Sequence, residues 1–151
     1  MASVTSLDRL PFFDGMPEWA REQLEQAGRE RAYEPGDLVV RQLDEANHVH
    51  FLVEGRLAVL VRYEGVGDLL MGTLVEPGTL VGWSAFRPPY RYTASVRCED
   101  AARVLVIGRE AFEAVFEQDP LLAYETLKWI AGTIDARLAG ALNYLDPPES
   151  W

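Results

Sequence analysis

The stretch Val81-Gly82-Trp83-Ser84-Ala85-Phe86-Arg87-Pro88-Pro89-Tyr90-Arg91-Tyr92-Thr93-Ala94-Ser95-Val96 gathers side chains suited to holding an anion. A glycine that opens a short helical turn aims unpaired backbone N–H groups outward, and a nearby arginine can pair with a phosphate or carboxylate. The candidate ligand-binding residues are therefore Gly82, Trp83, Ser84, Ala85, Arg91, Tyr92 and Thr93. In this reading residues 82–85 supply backbone donors, Arg91 the positive charge and Trp83 an apolar wall. A second set is His48, His50 and Glu54. Histidines two apart on a strand project to one face, and with a carboxylate they offer N and O donors to a divalent metal.

These residues need a scaffold, and the chain patterning describes one. Apolar runs at 38–40, 48–53, 57–62, 69–75, 94–98 and 103–107 are separated by turn signals such as Pro35-Gly36, Glu54-Gly55, Pro77-Gly78 and Pro88-Pro89. Short strands at this spacing predict a mainly β double-stranded roll, a jelly roll, over 33–108. Residues 7–32 read as a helical lead-in, with Trp19, Leu24 and Ala27 at helical spacing among charges. Helix returns over 109–118 and again from Pro120 to about Leu145. Within the last helix, Leu127, Ala131, Ile134, Leu138, Ala141 and Leu145 follow a 4-3-4-3-4 spacing, the seam of a coiled coil. This seam is expected to pair two copies of the chain. On the strand 48–53, Val49, Phe51 and Val53 are expected to face the core, leaving both histidines outside.

Composition narrows the function classes. A chain of 151 residues, 48% hydrophobic, suits one domain spanning 1–151. The formal net charge of −10, with arginines scattered, argues against nucleic-acid binding. The single cysteine, Cys98, permits no internal disulfide, and no apolar run approaches the ~20 residues of a membrane span. A cytoplasmic, membrane-free protein is expected.

Several motifs carry a family resemblance. Tyr33-Glu34-Pro35-Gly36-Asp37, His50-Phe51-Leu52-Val53-Glu54-Gly55-Arg56-Leu57, Glu76-Pro77-Gly78-Thr79-Leu80-Val81-Gly82 and Ile107-Gly108-Arg109-Glu110-Ala111-Phe112 follow one another at family spacing. Over about 7–145 the chain resembles the cyclic-nucleotide-binding domain, the sensor domain of catabolite-activator and Fnr-like regulators. The resemblance implies no catalysis, no required cofactor, and a ligand that is a cyclic nucleotide or another anionic small molecule. It also implies control of an effector protein, here without a helix-turn-helix domain, since the chain ends at Trp151.

The family's ligand residues are altered in this chain. Trp83 stands where the resemblance implies a glutamate for the ribose hydroxyl, and Tyr92 where it implies the phosphate-binding arginine, with Arg91 one residue early. Leu43 replaces the glycine expected before Asp44. The expected function is thus a stand-alone sensor or adaptor with a divergent phosphate-binding cassette, dimerised by its last helix and acting through protein contacts. Two alternatives stand beside it. One is a cupin-like metal-dependent enzyme using His48, His50 and Glu54, although the glycine upstream and the third histidine downstream of the cupin pattern are missing. The other is a purely structural or assembly subunit.

Overall fold

The structure is a computed structural model and describes residues 7–145, with side chains through residue 143. Two short 3-10 turns, Leu7–Arg9 and Pro11–Phe13, precede α1 (Glu18–Ala27). Eight strands follow: β1 (Arg29–Tyr33), β2 (Leu38–Val40), β3 (His48–Glu54), β4 (Leu57–Tyr63), β5 (Gly67–Leu74), β6 (Leu80–Val81), β7 (Ser95–Cys98) and β8 (Ala102–Gly108). Then come α2 (Arg109–Gln118) and α3 (Pro120–Leu145). The strands form two antiparallel four-stranded sheets, ordered β1-β8-β3-β6 and β2-β7-β4-β5. This is the expected β roll.

The helical lead-in is shorter than its charge pattern suggests. Helix stops at Ala27, Gly28 turns extended (φ −82°, ψ 154°), and Arg29–Tyr33 pairs with β8 from Arg29↔Val106 to Tyr33↔Ala102. An edge strand can carry charged side chains on its open face, which hides it from a hydrophobicity reading. Gly28 is also where helix and sheet touch: a Cβ there would lie 3.1 Å from Leu105 and 3.5 Å from Ile107.

Helices cover one face of the β1-β8-β3-β6 sheet. Phe51 on β3 packs its ring 4.9 Å from Phe12 and 5.0 Å from Phe13. Because side chains alternate, Val49 shares that helix-covered face and His50, paired with Val106, turns into the roll. This corrects the expectation that both histidines lie outside: His50 is 5% exposed, while His48, at the strand start, is exposed. Both faces of β3 are covered, so an apolar run does not mark which face is the interior.

At Leu43, where the resemblance implies glycine, the backbone is left-handed (φ 73°) and the side chain 70% exposed. A β-carbon in that conformation costs about 1–2 kcal/mol, part of which glycine forfeits through unfolded-state entropy. Leu43→Gly is therefore expected to stabilise the fold by about 0.5–1 kcal/mol and raise its melting midpoint by about 2 °C. A lower midpoint in calorimetry would show that the leucine side chain contributes packing.

Candidate functional site

The candidate site is built where β6 runs into the turn 82–86. Gly82 adopts φ 91°, ψ 37°, and Trp83–Phe86 forms one 3-10 turn behind it. Glycine is required there: a Cβ at 82 would sit 3.0 Å from the Tyr92 ring, 3.2 Å from the His48 carbonyl and 3.4 Å from His50 Nδ1. Phe86 anchors the far side of the turn, with its ring 5.2 Å from Phe112 and 6.1 Å from Phe116 of α2. The turn and α2 thus share an aromatic contact.

Tyr92 and Arg91 part on a segment ahead of β7, where Arg91 forms an isolated bridge with Glu45. Tyr92 is buried, and its hydroxyl donates to the His48 carbonyl oxygen at 2.9 Å. Burial pushes that phenol up to about 12, so it stays a neutral donor. Arg91 is exposed and lines an open groove with Arg87, Ser84 and Thr93. It does not line the cavity behind Trp83 among the described residues.

That half-open cavity measures about 40 Å³ and is bounded by Val40, Val59, Val81, Val96, the turn 82–84, residues 92–94 and Arg137. Such a volume holds one or two waters, whose share of liquid volume is about 30 Å³ each. Of the candidate ligand residues, Gly82, Trp83, Ser84, Tyr92 and Thr93 meet here. Ala85 lies buried behind the turn, its N–H bonded to the Gly82 carbonyl at 3.1 Å.

Arg137 of α3 belongs to none of the sequence motifs, yet among the described residues it brings the only charge to this cavity. Its guanidinium stacks 4.6 Å from the Trp83 ring centroid and donates through Nη2 to the Leu80 carbonyl oxygen. Desolvation lowers its pKa to about 10, so it stays protonated at neutral pH. The signal that could have found it is a helical spacing: Leu122, Thr126 and Ile130 are buried, and Arg137 lies seven residues beyond Ile130 on the same face. The predicted seam occupies the neighbouring face. Leu127 and Ala131 point to solvent, whereas Ile134, Leu138 and Ala141 line a groove against β4 and β5. The Leu145 side chain lies outside the described residues.

The groove measures about 460 Å³ and is lined by Val59, Val61, Met71, Leu74, Ile134 and Leu138, among others. Trp83, Ala94, Val59 and Arg137 border both spaces, so the groove leads into the small cavity.

The histidine and glutamate set does not assemble. The His48 and His50 rings are 6.5 Å apart, and Glu54 is exposed and bonded to Arg103 at 2.8 Å. Among the described residues no group of three or more His, Cys, Asp or Glu is placed to hold a metal ion. No helix among them is long and apolar enough to cross a membrane.

Comparison with known proteins agrees with this architecture. Human potassium/sodium hyperpolarization-activated cyclic nucleotide-gated channel 3 is 34% identical over 101 residues, covering 66% of this chain but 12% of the channel. A candidate cyclic nucleotide-binding protein from Geobacter metallireducens shares the fold with a TM-score of 0.77 at 22% identity, over 91% of this chain and 99% of that one. So does the regulatory subunit of a cAMP-independent protein kinase A from Trypanosoma brucei, with a TM-score of 0.72 at 22% identity, over 84% of this chain and 45% of that one. Residues 30–119 match the family model of the cyclic nucleotide-binding domain, spanning β1 to the end of α2 and including the turn 82–86. With that match and the roll beneath it, this chain belongs to the cyclic nucleotide-binding domain family.

Proposed function

We propose that this chain is a non-enzymatic regulatory sensor or adaptor whose pocket has turned away from cyclic mononucleotides and whose output is a protein contact. One observation carries the reading: Arg137 of α3 occupies the space behind Trp83, leaving about 40 Å³ there. Trp83 offers no carboxylate to a ribose hydroxyl, and a site unable to bond that hydroxyl loses much of its discrimination. Tyr92 likewise brings a neutral phenol where a phosphate would need a cation. The fold also serves in a kinase regulatory subunit described as cAMP-independent.

Output follows from the connections of the turn. Trp83 touches α3 through Arg137, and Phe86 touches α2 through Phe112. Displacing the guanidinium would therefore remove one of the contacts that seat α3 on the roll, beside the buried Leu122 and Ile130. Leu121, Tyr124 and Leu127 on α3 are 68%, 58% and 47% exposed, an apolar edge suited to self-association or to an effector protein.

Thermal unfolding with 1 mM cyclic AMP or cyclic GMP tests the reading, and the expected shift is under about 1 °C. A ligand present at 100 times its dissociation constant adds about 2.7 kcal/mol, or roughly 5–10 °C for a domain of this size. A shift of that order with either nucleotide would restore an ordinary cyclic-mononucleotide sensor.

A further inference from the structure

The cavity behind Trp83 and the groove that leads into it carry a charge pattern that points to a ligand class, although Arg137 also borders a third space lined by Glu76. Among the described residues Arg137 is the only charged one lining either the cavity or the groove, and no acidic side chain lines them. The guanidinium has five N–H donors, and its one hydrogen bond among the described residues goes to a neutral carbonyl. It enters no ion pair among those residues either. A partly buried cation without a counter-charge is unfavourable, and a ligand that supplies the charge recovers the loss. The rest of the groove is aliphatic, contributed by β4, β5 and α3.

On this basis we propose that the groove binds an amphipathic monocarboxylate, with its carboxylate on the Arg137 guanidinium and its hydrocarbon body along Val59, Met71, Leu74, Ile134 and Leu138. One guanidinium matches one carboxylate in a two-pronged geometry, whereas a phosphate dianion would find a single cation and no second donor residue of like charge. A volume of about 460 Å³ lies within the range of small-molecule pockets, roughly 300–1,000 Å³. Two alkyl-lined walls give the chain apolar cover on both sides. The carboxylate would also compete with the Leu80 carbonyl for Arg137, so binding acts on the contact that seats α3. This assignment rests on the altered-pocket reading above.

Isothermal titration with decanoate, held below its micelle concentration, and with decan-1-ol tests it. Decanoate is expected to bind at one saturable site per chain, at least about tenfold tighter than the alcohol, the margin of a charge-assisted hydrogen bond. Arg137→Gln should remove that preference, leaving the two ligands within about twofold, and Arg137→Lys should retain part of it. If the glutamine variant fails to fold, the wild-type ratio and the lysine variant decide. Equal affinities, absence of saturable decanoate binding, or a preference that survives in Arg137→Gln would each overturn the assignment. It also falls if sedimentation shows a dimer that excludes decanoate, since a second copy then covers the groove. The two readings fail separately: a melting shift with cyclic AMP overturns the altered pocket, whereas silence from both nucleotide and decanoate overturns only the carboxylate class.

Discussion

Gly55→Ala is expected to destabilise the fold by about 3 kcal/mol, lowering its melting midpoint by roughly 10 °C. Gly55 turns the chain between β3 and β4 with φ 121°, where a β-carbon is strained whatever the space around it. Space is also missing. A Cβ would lie 2.6 Å from the Ala102 Cβ, 2.8 Å from its Cα and 3.0 Å from the Ala101 carbonyl oxygen. Neither neighbour can rotate aside, because these are backbone atoms and a methyl fixed to them at the start of β8. Left-handed or positive-φ strain of about 1–2 kcal/mol therefore adds to an overpacking cost of about 1–3 kcal/mol. Gly65→Ala is the matched comparison, since its φ of 79° carries strain but nothing lies within 4 Å of the added carbon. Urea unfolding should show Gly65→Ala losing about 1 kcal/mol with unchanged slope, and a Gly55→Ala loss no larger than that would refute the packing argument.

The second large effect is acid lability centred on His50. Its imidazole is 5% exposed, its Nδ1 has no hydrogen-bond partner among the described residues, and that atom faces Gly82. Burial first, and the neighbouring His48 second, hold its pKa down to about 4, against the opposing pull of a hydrogen bond to the Val81 backbone. The folded value lies below the unfolded one of about 6.5, so between these values the unfolded chain binds more protons than the folded one. Stability from this group is thus fully present above about pH 6.5 and drains away as pH falls toward 4. The whole loss is about 3 kcal/mol, of which about 2 kcal/mol is gone by pH 5. His48 adds a smaller loss of the same sign, its pKa lowered by burial and by Arg29 and Arg31. His50→Leu fills similar space, leaves no orphaned nitrogen, and should flatten the stability profile between pH 7 and pH 5. Equal slopes for the variant and the wild type across that interval would remove His50 as the source.

The His50 and Gly55 effects share an origin in the β1-β8-β3-β6 sheet, which is covered on both sides. Helices pack on Phe51 and Val49, and the roll interior packs on His50 and Leu52. A polar residue trapped in such a sheet, or a glycine pressed onto its edge, has nowhere to relax.

How much of this was legible from residues alone differs from element to element. Six of the eight strands announced themselves, because apolar runs bounded by Pro-Gly, Glu-Gly and similar turns are local signals. Glycine-bearing motifs around Gly36, Gly55, Gly78 and Gly82 were equally readable, since a positive φ is a requirement of the backbone at that residue and its neighbours. The two strands that escaped were β1, an edge strand rich in arginine, and β6, two residues long. Neither has a pattern of its own, and both exist because β8 and β3 offer them hydrogen-bonding edges.

The candidate site divides along the same line. By itself the sequence determined the turn 82–86 and the tryptophan at position 83 where the resemblance implies a carboxylate, because each is a matter of residue identity; it set Arg91 in the pocket as the positive charge, and only the tertiary structure leaves Arg91 exposed and Tyr92 buried. Only the tertiary structure decided that His50 points into the roll, since both faces of β3 are apolar and periodicity cannot rank them. It alone decided that the cation beside Trp83 comes from Arg137, far along the chain on the last helix. A helix meets a sheet through the face that packing selects, and the seam on α3 did not show that its later residues, Ile134, Leu138 and Ala141, would face β4 and β5 with Arg137 beside them. Local chemistry writes elements and turns into the sequence, whereas the partners of a charge are set by which surfaces the collapsed chain brings together.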